Sequence, residues 1–220
     1  MSGNKFETVC HEFLATVFPK LKHLRPGSWQ VLRGSSETLA NCDQYDHLAE
    51  LERAVEANPE LAISLGNAYL IKPDVVVVRS PEPDEVINAG GAIVSQEEAR
   101  KTSIRLVNQT KPILHASVSC KWTLRSDRAQ NARSEALNLV RNRKGKLPHI
   151  VVVTGEPTPG RIASIALGTG DIDCVYHIAL PELMAAVTES GYNDSEEMLR
   201  MMVEGKRLRD IADLPLDLII

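Results

Sequence analysis

Residues 113–124 read ILHASVSCKWTL and run directly into RSDRAQNARSE at 125–135. The first stretch alternates. Ile113, His115, Ser117, Ser119 and Lys121 fall on one side of an extended chain, and Leu114, Ala116, Val118, Cys120 and Trp122 on the other. One face is apolar and packs, while the polar face presents Ser119 and Lys121 together. The spacing then becomes helical, with Ala132, Leu137 and Val140 inward and Gly145 as the stop. A strand that hands over to a helix is the repeating unit of an α/β sheet.

The flanking segments repeat that unit. DVVVVRS at 74–80 and HIVVVTGE at 149–156 are β-branched runs of the kind buried on both faces. TPGRIASIALG predicts a short helix closed by Gly168, DIDCVYHIAL a further strand, and a last amphipathic helix runs from about Pro181 to Ser190. The tail, ADLPLDLII, is apolar enough to dock. Toward the start, NKFETVCHEFLATVFPKL places Phe6, Val9, Cys10, Phe13, Leu14, Val17 and Leu21 at helical spacing behind Asn4 as cap. DHLAELERAVEA and NPELAISLG predict two more helices, and PEPDEVINAGGAIVSQ a loop with a short hairpin around Gly90 and Gly91. The expected architecture is α/β, a mixed central β-sheet flanked by helices, in a single domain over residues 1–220.

At 220 residues and 43% apolar content the chain supports one sizeable core. No apolar run approaches the roughly 20 residues of a membrane span, and MSGNKFETVCHEF lacks the basic-then-apolar order of a secretory signal, so a cytoplasmic protein is expected. Cys10, Cys42, Cys120 and Cys174 form no CxxC pair and stand in no ligand spacing with the six histidines, which favours reduced core thiols over zinc or disulfides. The net charge of −4 hides an asymmetry: Arg100 to Lys146 holds twelve Lys or Arg against only Asp127 and Glu135. Such a basic block is an electrostatic footprint for phosphates or, equally, a solvated helix face.

Phosphodiester hydrolysis needs carboxylates to hold a divalent cation and a cationic side chain beside the phosphate. Asp74 follows Pro73 at the start of a buried strand, where an ionised carboxylate is costly without a partner. Lys121 stands on the polar face of the next strong strand, so the two meet if those strands are neighbours. Taken singly, Asp74 also reads as a turn aspartate and Lys121 as a lysine guarding a sheet edge. RSDR, where strand gives way to helix, matches arginine forks to guanine O6 and N7 and a carboxylate to cytosine N4. It also reads as a capping turn with Ser126 or Asp127 as the cap.

KPD at 72–74, SVSCKWTLRSDRAQNARSE and LVRNRKGKLPHIVVVT together resemble the CCGG-family Type II restriction endonucleases, over most of the chain. That family carries a variant PD-(D/E)xK motif with serine in place of the acid before the lysine, as Ser119 stands before Lys121 here. The resemblance implies Asp74, Lys121, Glu135 and Glu7 as catalytic residues, Glu135 from the following helix filling the space that Ser119 leaves. It implies Asp74, Glu135, Glu7 and the carbonyl of Cys120 as ligands for two Mg²⁺ ions, and Arg125, Asp127, Arg128 and Arg161 as DNA-binding residues. It further implies a homo-oligomer, a dimer of dimers on double-stranded DNA, cutting a CCGG palindrome, GCCGGC, to leave 5′ overhangs. Family members carry some tens of residues before the point matching Ser2. The alternative expectation is therefore a sequence-specific DNA-binding protein whose cleavage is impaired by the missing segment.

Overall fold

A computed structural model of the chain describes residues 2–66, 71–168 and 170–220. Helix α1 (Gly3–Val17) buries Phe6, Cys10 and Leu14, and Pro19 tightens its end into a 3₁₀ turn through Leu21. Its N-cap is Ser2, so Asn4 lies inside the helix rather than capping it. There follow β1 (Trp29–Arg33), α2 (Ser36–Ala40), α3 (Leu48–Ala57), α4 (Pro59–Leu65), β2 (Val75–Arg79), α5 (Asp84–Ile87), β3 (Ile113–Lys121) and α6 (Ser126–Asn142). The chain continues as β4 (His149–Thr154), α7 (Pro159–Ala166), β5 (Cys174–His177), α8 (Leu180–Ser190), α9 (Asn193–Glu204), β6 (Leu208–Asp210) and α10 (Leu214–Asp217).

The six strands stand side by side in chain order. β1, β2 and β3 pair antiparallel, whereas β3 through β6 pair parallel, so the expected mixed α/β sheet is what forms. The four valines of β2 are all buried and alternate between two cores. Val76 and Val78 join α3, α6, α7, α8 and α9 on one face, and Val75 and Val77 join α1 and α10 on the other. The apolar tail docks there through Leu214 and Leu218, as its composition predicts.

Strand β3 departs from simple alternation. The register opposite Val77 and Val78 skips from Ala116 to Leu114, leaving His115 as an inserted residue. Leu114 therefore packs in one core while Ala116, Val118 and Cys120 pack in the other. The serine face is also not open: Ser117 and Ser119 are buried. Residues 81–96 form α5 and a 3₁₀ turn over Asn88–Gly90 instead of a hairpin. Asn88 accepts hydrogen bonds from the Ile93 and Val94 N–H groups and donates to the Val94 carbonyl, which replaces strand pairing with a side-chain anchor.

The antiparallel β2–β3 pairing brings the start of β2 beside the end of β3, and one glycine pins that corner. The N–H of Gly34 donates to the Asp74 carbonyl at 3.0 Å, and a Cβ at Gly34 would stand 2.1 Å from the Pro73 carbonyl oxygen. Gly34→Ala is expected to destabilise the fold by about 1–3 kcal/mol, because the backbone it strikes cannot rotate away. A lowered urea midpoint at unchanged slope is the expected result, and an unchanged midpoint would show that the corner yields freely.

Candidate active site

Asp74 and Lys121 converge where β2 begins and β3 ends. Lys121 Nζ lies 2.7 Å from Asp74 Oδ2, and the same oxygen accepts the Cys120 N–H at 2.6 Å. Both side chains keep access to solvent, 20% for Lys121 and 16% for Asp74, so a ligand can reach them. Burial alone would lower the Lys121 pKa, but Asp74 beside it and Glu135 beyond raise it above the ordinary lysine value, so it carries its charge. Of Cys120, it is the N–H that touches Asp74.

Glu135 comes from the middle of α6 and faces this pair. Burial pushes its pKa up to about 8, with Asp74 adding repulsion, while Lys121 and a hydrogen bond with the Lys72 backbone partly offset the rise. Glu7 enters from α1 on the other side of the sheet. Burial and Asp74 raise its pKa, against Lys121 and Arg33. The four residues singled out for catalysis therefore share one electrostatic neighbourhood, although they come from two strands and two helices. Ser119, two residues before Lys121, is buried with its hydroxyl lacking a hydrogen-bond partner among the described residues.

These carboxylates offer the hard oxygen donors that Mg²⁺ takes, and the repulsion of Asp74 on Glu7 and on Glu135 would be relieved by a divalent cation among them. Among the described residues no three acidic, thiol or imidazole groups stand together as a finished cage. Lys121 and the Cys120 N–H occupy Asp74 Oδ2 instead. The donor set fits the ion in its chemistry, with Glu7, Asp74 and Glu135 as the residues to hold it.

RSDR spans the start of α6. Arg125 is the N-cap residue and no side chain caps the helix, so Ser126 and Asp127 do not act as the cap that their types suggest. Arg125 and Asp127 are exposed, their side chains without ion-pair or hydrogen-bond partners among the described residues, and Arg128 donates to Thr123 Oγ1 at 3.2 Å. Three polar side chains thus project from one helix end at the edge that holds Asp74. Arg161 stands in the first turn of α7, its side chain 54% exposed.

Part of the basic block is paired within the protein: Arg105 is buried in a bidentate pair with Asp84, and Lys111 and Lys144 both bind Asp46. Lys121, Arg125 and Arg128 of the block stand at the active edge, and Arg161, beyond the block, joins them from α7. A cavity of about 200 Å³ bounded by Arg25, Trp29, His115 and His149 lies at the opposite end of β3.

Sequence reasoning missed Glu156, just past the end of β4. Its carboxylate is wholly buried and accepts N–H bonds from Leu124 at 2.8 Å and Thr158 at 3.1 Å. The signal available was an acid between Gly155 and Pro157 at the carboxyl end of a buried strand, where sites on α/β sheets concentrate.

Comparison with known proteins places the chain in a family. A family model described as NgoMIV restriction enzyme matches residues 1–220. The Type II restriction enzyme NgoMIV of Neisseria gonorrhoeae is 56% identical over 222 aligned residues, covering 100% of this chain and 78% of that enzyme. A solved structure titled "Restriction endonuclease PspGI-substrate DNA complex" aligns with 47% of this chain and 39% of that one, at 23% identity and a TM-score of 0.32.

Proposed function

Because the chain belongs to the NgoMIV restriction enzyme family and is a Type II restriction endonuclease, we propose that it cuts duplex DNA within a CCGG palindrome, GCCGGC, by Mg²⁺-dependent hydrolysis that leaves 5′ overhangs. The observation that carries this reading is the Asp74–Lys121 contact at the same sheet edge as the unpartnered Arg125 and Asp127. Reading and cutting groups then follow one another along the chain.

In this reading residues 1–220 act as one nuclease domain, and Lys121 presents a permanent positive charge to the scissile phosphate. Glu7, Asp74 and Glu135 would hold Mg²⁺, with the Cys120 carbonyl as a further oxygen ligand, and the ion would supply Lewis-acid stabilisation of the attacking water and of the leaving 3′ oxygen. Arg125 and Arg128 read guanines and Asp127 reads cytosines, because a forked donor fits O6 and N7 and a carboxylate fits an amino group. An aspartate among arginines adds nothing to phosphate affinity, which favours base reading over a general basic patch. Arg161 reads the outer pair. A two-fold partner completes the palindrome, and a dimer of dimers holds two sites. Its place of action is the cytoplasm. No helix among the described residues is long and apolar enough to cross a membrane.

Plasmid digestion with Mg²⁺, followed by mapping of the ends on a sequenced plasmid, tests the proposal. Discrete fragments with 5′ overhangs at GCCGGC are expected. Ends elsewhere would overturn the site assignment, and binding of a CCGG duplex in Ca²⁺ without cutting in Mg²⁺ would identify a DNA-binding protein impaired in cleavage.

A further inference from the structure

Glu156 is an ionisable group buried where none of the cutting chemistry uses it. Its two carboxylate oxygens face different elements. Oε2 accepts the N–H of Leu124, the residue directly before Arg125. Oε1 accepts the N–H of Thr158, the N-cap of α7, and lies 3.5 Å from Arg161 Nη1. One side chain therefore joins the turn that carries Arg125, Asp127 and Arg128 to the helix that carries Arg161.

The anchor is itself anchored. The Glu156 N–H donates to Thr154 Oγ1 at 3.1 Å, and Thr154 is wholly buried. The Glu156 carbonyl lies 3.2 Å from His177 Nε2. His177 Nδ1 accepts the Ala179 N–H, so Nε2 carries the proton and donates to Glu156. Gly155 makes room for the turn, since a Cβ there would stand 2.5 Å from the Trp122 ring. Burial works against a charged Glu156, but the donors from Leu124 and Thr158 and the Arg161 guanidinium outweigh it, and the pKa falls below the ordinary glutamate value. A buried carboxylate with this set of donors has one geometry, and losing it leaves N–H groups unmatched on both sides.

We infer that Glu156 is a positioning residue for sequence discrimination, fixing the spacing between the Arg125–Arg128 turn and Arg161 so that inner and outer base pairs are read in one register. This rests on the base-reading roles proposed above. Glu156→Gln keeps the shape but turns an amide N–H₂ toward one of the two backbone donors, so one tether breaks.

The test compares cleavage of the GCCGGC duplex with duplexes altered at one inner or one outer base pair, and takes ratios of rates. Glu156→Gln is expected to reduce discrimination by ~10- to 100-fold, the range a well-made bidentate base contact supplies. A purely structural role lowers the melting temperature and the active fraction on every duplex alike, leaving the ratios as they were; that result overturns the inference. Arg125→Ala serves as the companion variant. If it changes the inner-pair ratio while Glu156→Gln does not, positioning alone fails. If Arg125→Ala leaves all ratios unchanged, the base-reading assignment fails and this inference falls with it. Should Glu156→Gln not fold, Thr158→Pro removes the donors on the α7 side, the Thr158 N–H and its side-chain hydroxyl, and leaves the Leu124 tether in place. It is expected to shift the outer-pair ratio and spare the inner one, and unchanged outer discrimination would overturn the inference.

Discussion

Asp74→Ala stops plasmid cleavage, with a rate loss expected on the order of 10³-fold or more, since it removes both an Mg²⁺ ligand and the partner that aims Lys121. Lys121→Ala has an effect of the same order, by taking away the ammonium that donates to Asp74 Oδ2. Neither change touches the turn that carries RSDR, so both variants are expected to retain binding of a GCCGGC duplex in Ca²⁺. Single-turnover cleavage and gel shifts on the same duplex check the two halves separately. Because Asp74 and Lys121 form one contact, the double variant loses little beyond either single one. Activity surviving in that double variant would refute the residue assignment.

Glu135→Gln is expected to have opposite effects on activity and stability. Cleavage falls by roughly 10²-fold or more, because a neutral amide cannot replace a carboxylate toward a hard cation. The protein without Mg²⁺ becomes more stable. Glu135 ionises at 4.5 in the unfolded chain and at about 8 in the folded one, so between those values the folded state holds the proton more tightly. The stability this group contributes is complete below pH 4.5 and is lost as pH rises through about 8. The amide removes that loss. The gain in melting temperature at pH 8 is expected to exceed the gain at pH 5 by about 4 °C, the response of a chain this size to about 1–2 kcal/mol. Calorimetry in EDTA at both values decides it: equal gains, or a larger one at pH 5, would show that Glu135 is not the crowded acid.

The central strands were legible because burial on both faces writes itself as unbroken valine: β2 and β4 are VVVVR and HIVVVT. The outer strands β1 and β6 were not, being 5 and 3 residues long and each held along one side. Helix α9 escaped notice although Met198, Leu199, Met202 and Val203 mark an apolar face and Asp194 and Glu196 fill its first turn, a helix-start signal. In β3 the alternation was correct until His115, where an inserted residue turned Leu114 and Ala116 to opposite faces. No composition rule announces such a bulge.

The site divides in the same way. Asp74 and Lys121 were readable from strand order, since adjacent antiparallel strands must bring the start of one beside the end of the next. Glu135 and Glu7 were not. One stands midway along a helix and the other just past the first turn of α1, places where acids are ordinary, so only the family resemblance singled them out. Glu156 lay outside both signals. Its importance comes from Leu124 and Thr158, residues whose types say nothing about the hydrogen bonds that their backbones make.

The Asp74–Lys121 contact bears on the order of events at the DNA. Three carboxylates at an edge meant for a polyanion would repel the duplex before any ion arrived. Here one carboxylate is neutralised by an ammonium at 2.7 Å, and a second keeps its proton up to about pH 8. Little of the negative charge of these acids therefore opposes a duplex drawn in by the neighbouring Arg125 and Arg128. With Mg²⁺ bound, Glu7, Asp74 and Glu135 would act as its ligands and Lys121 would be free to turn to the phosphate, which would separate inspection of a site from commitment to cut it.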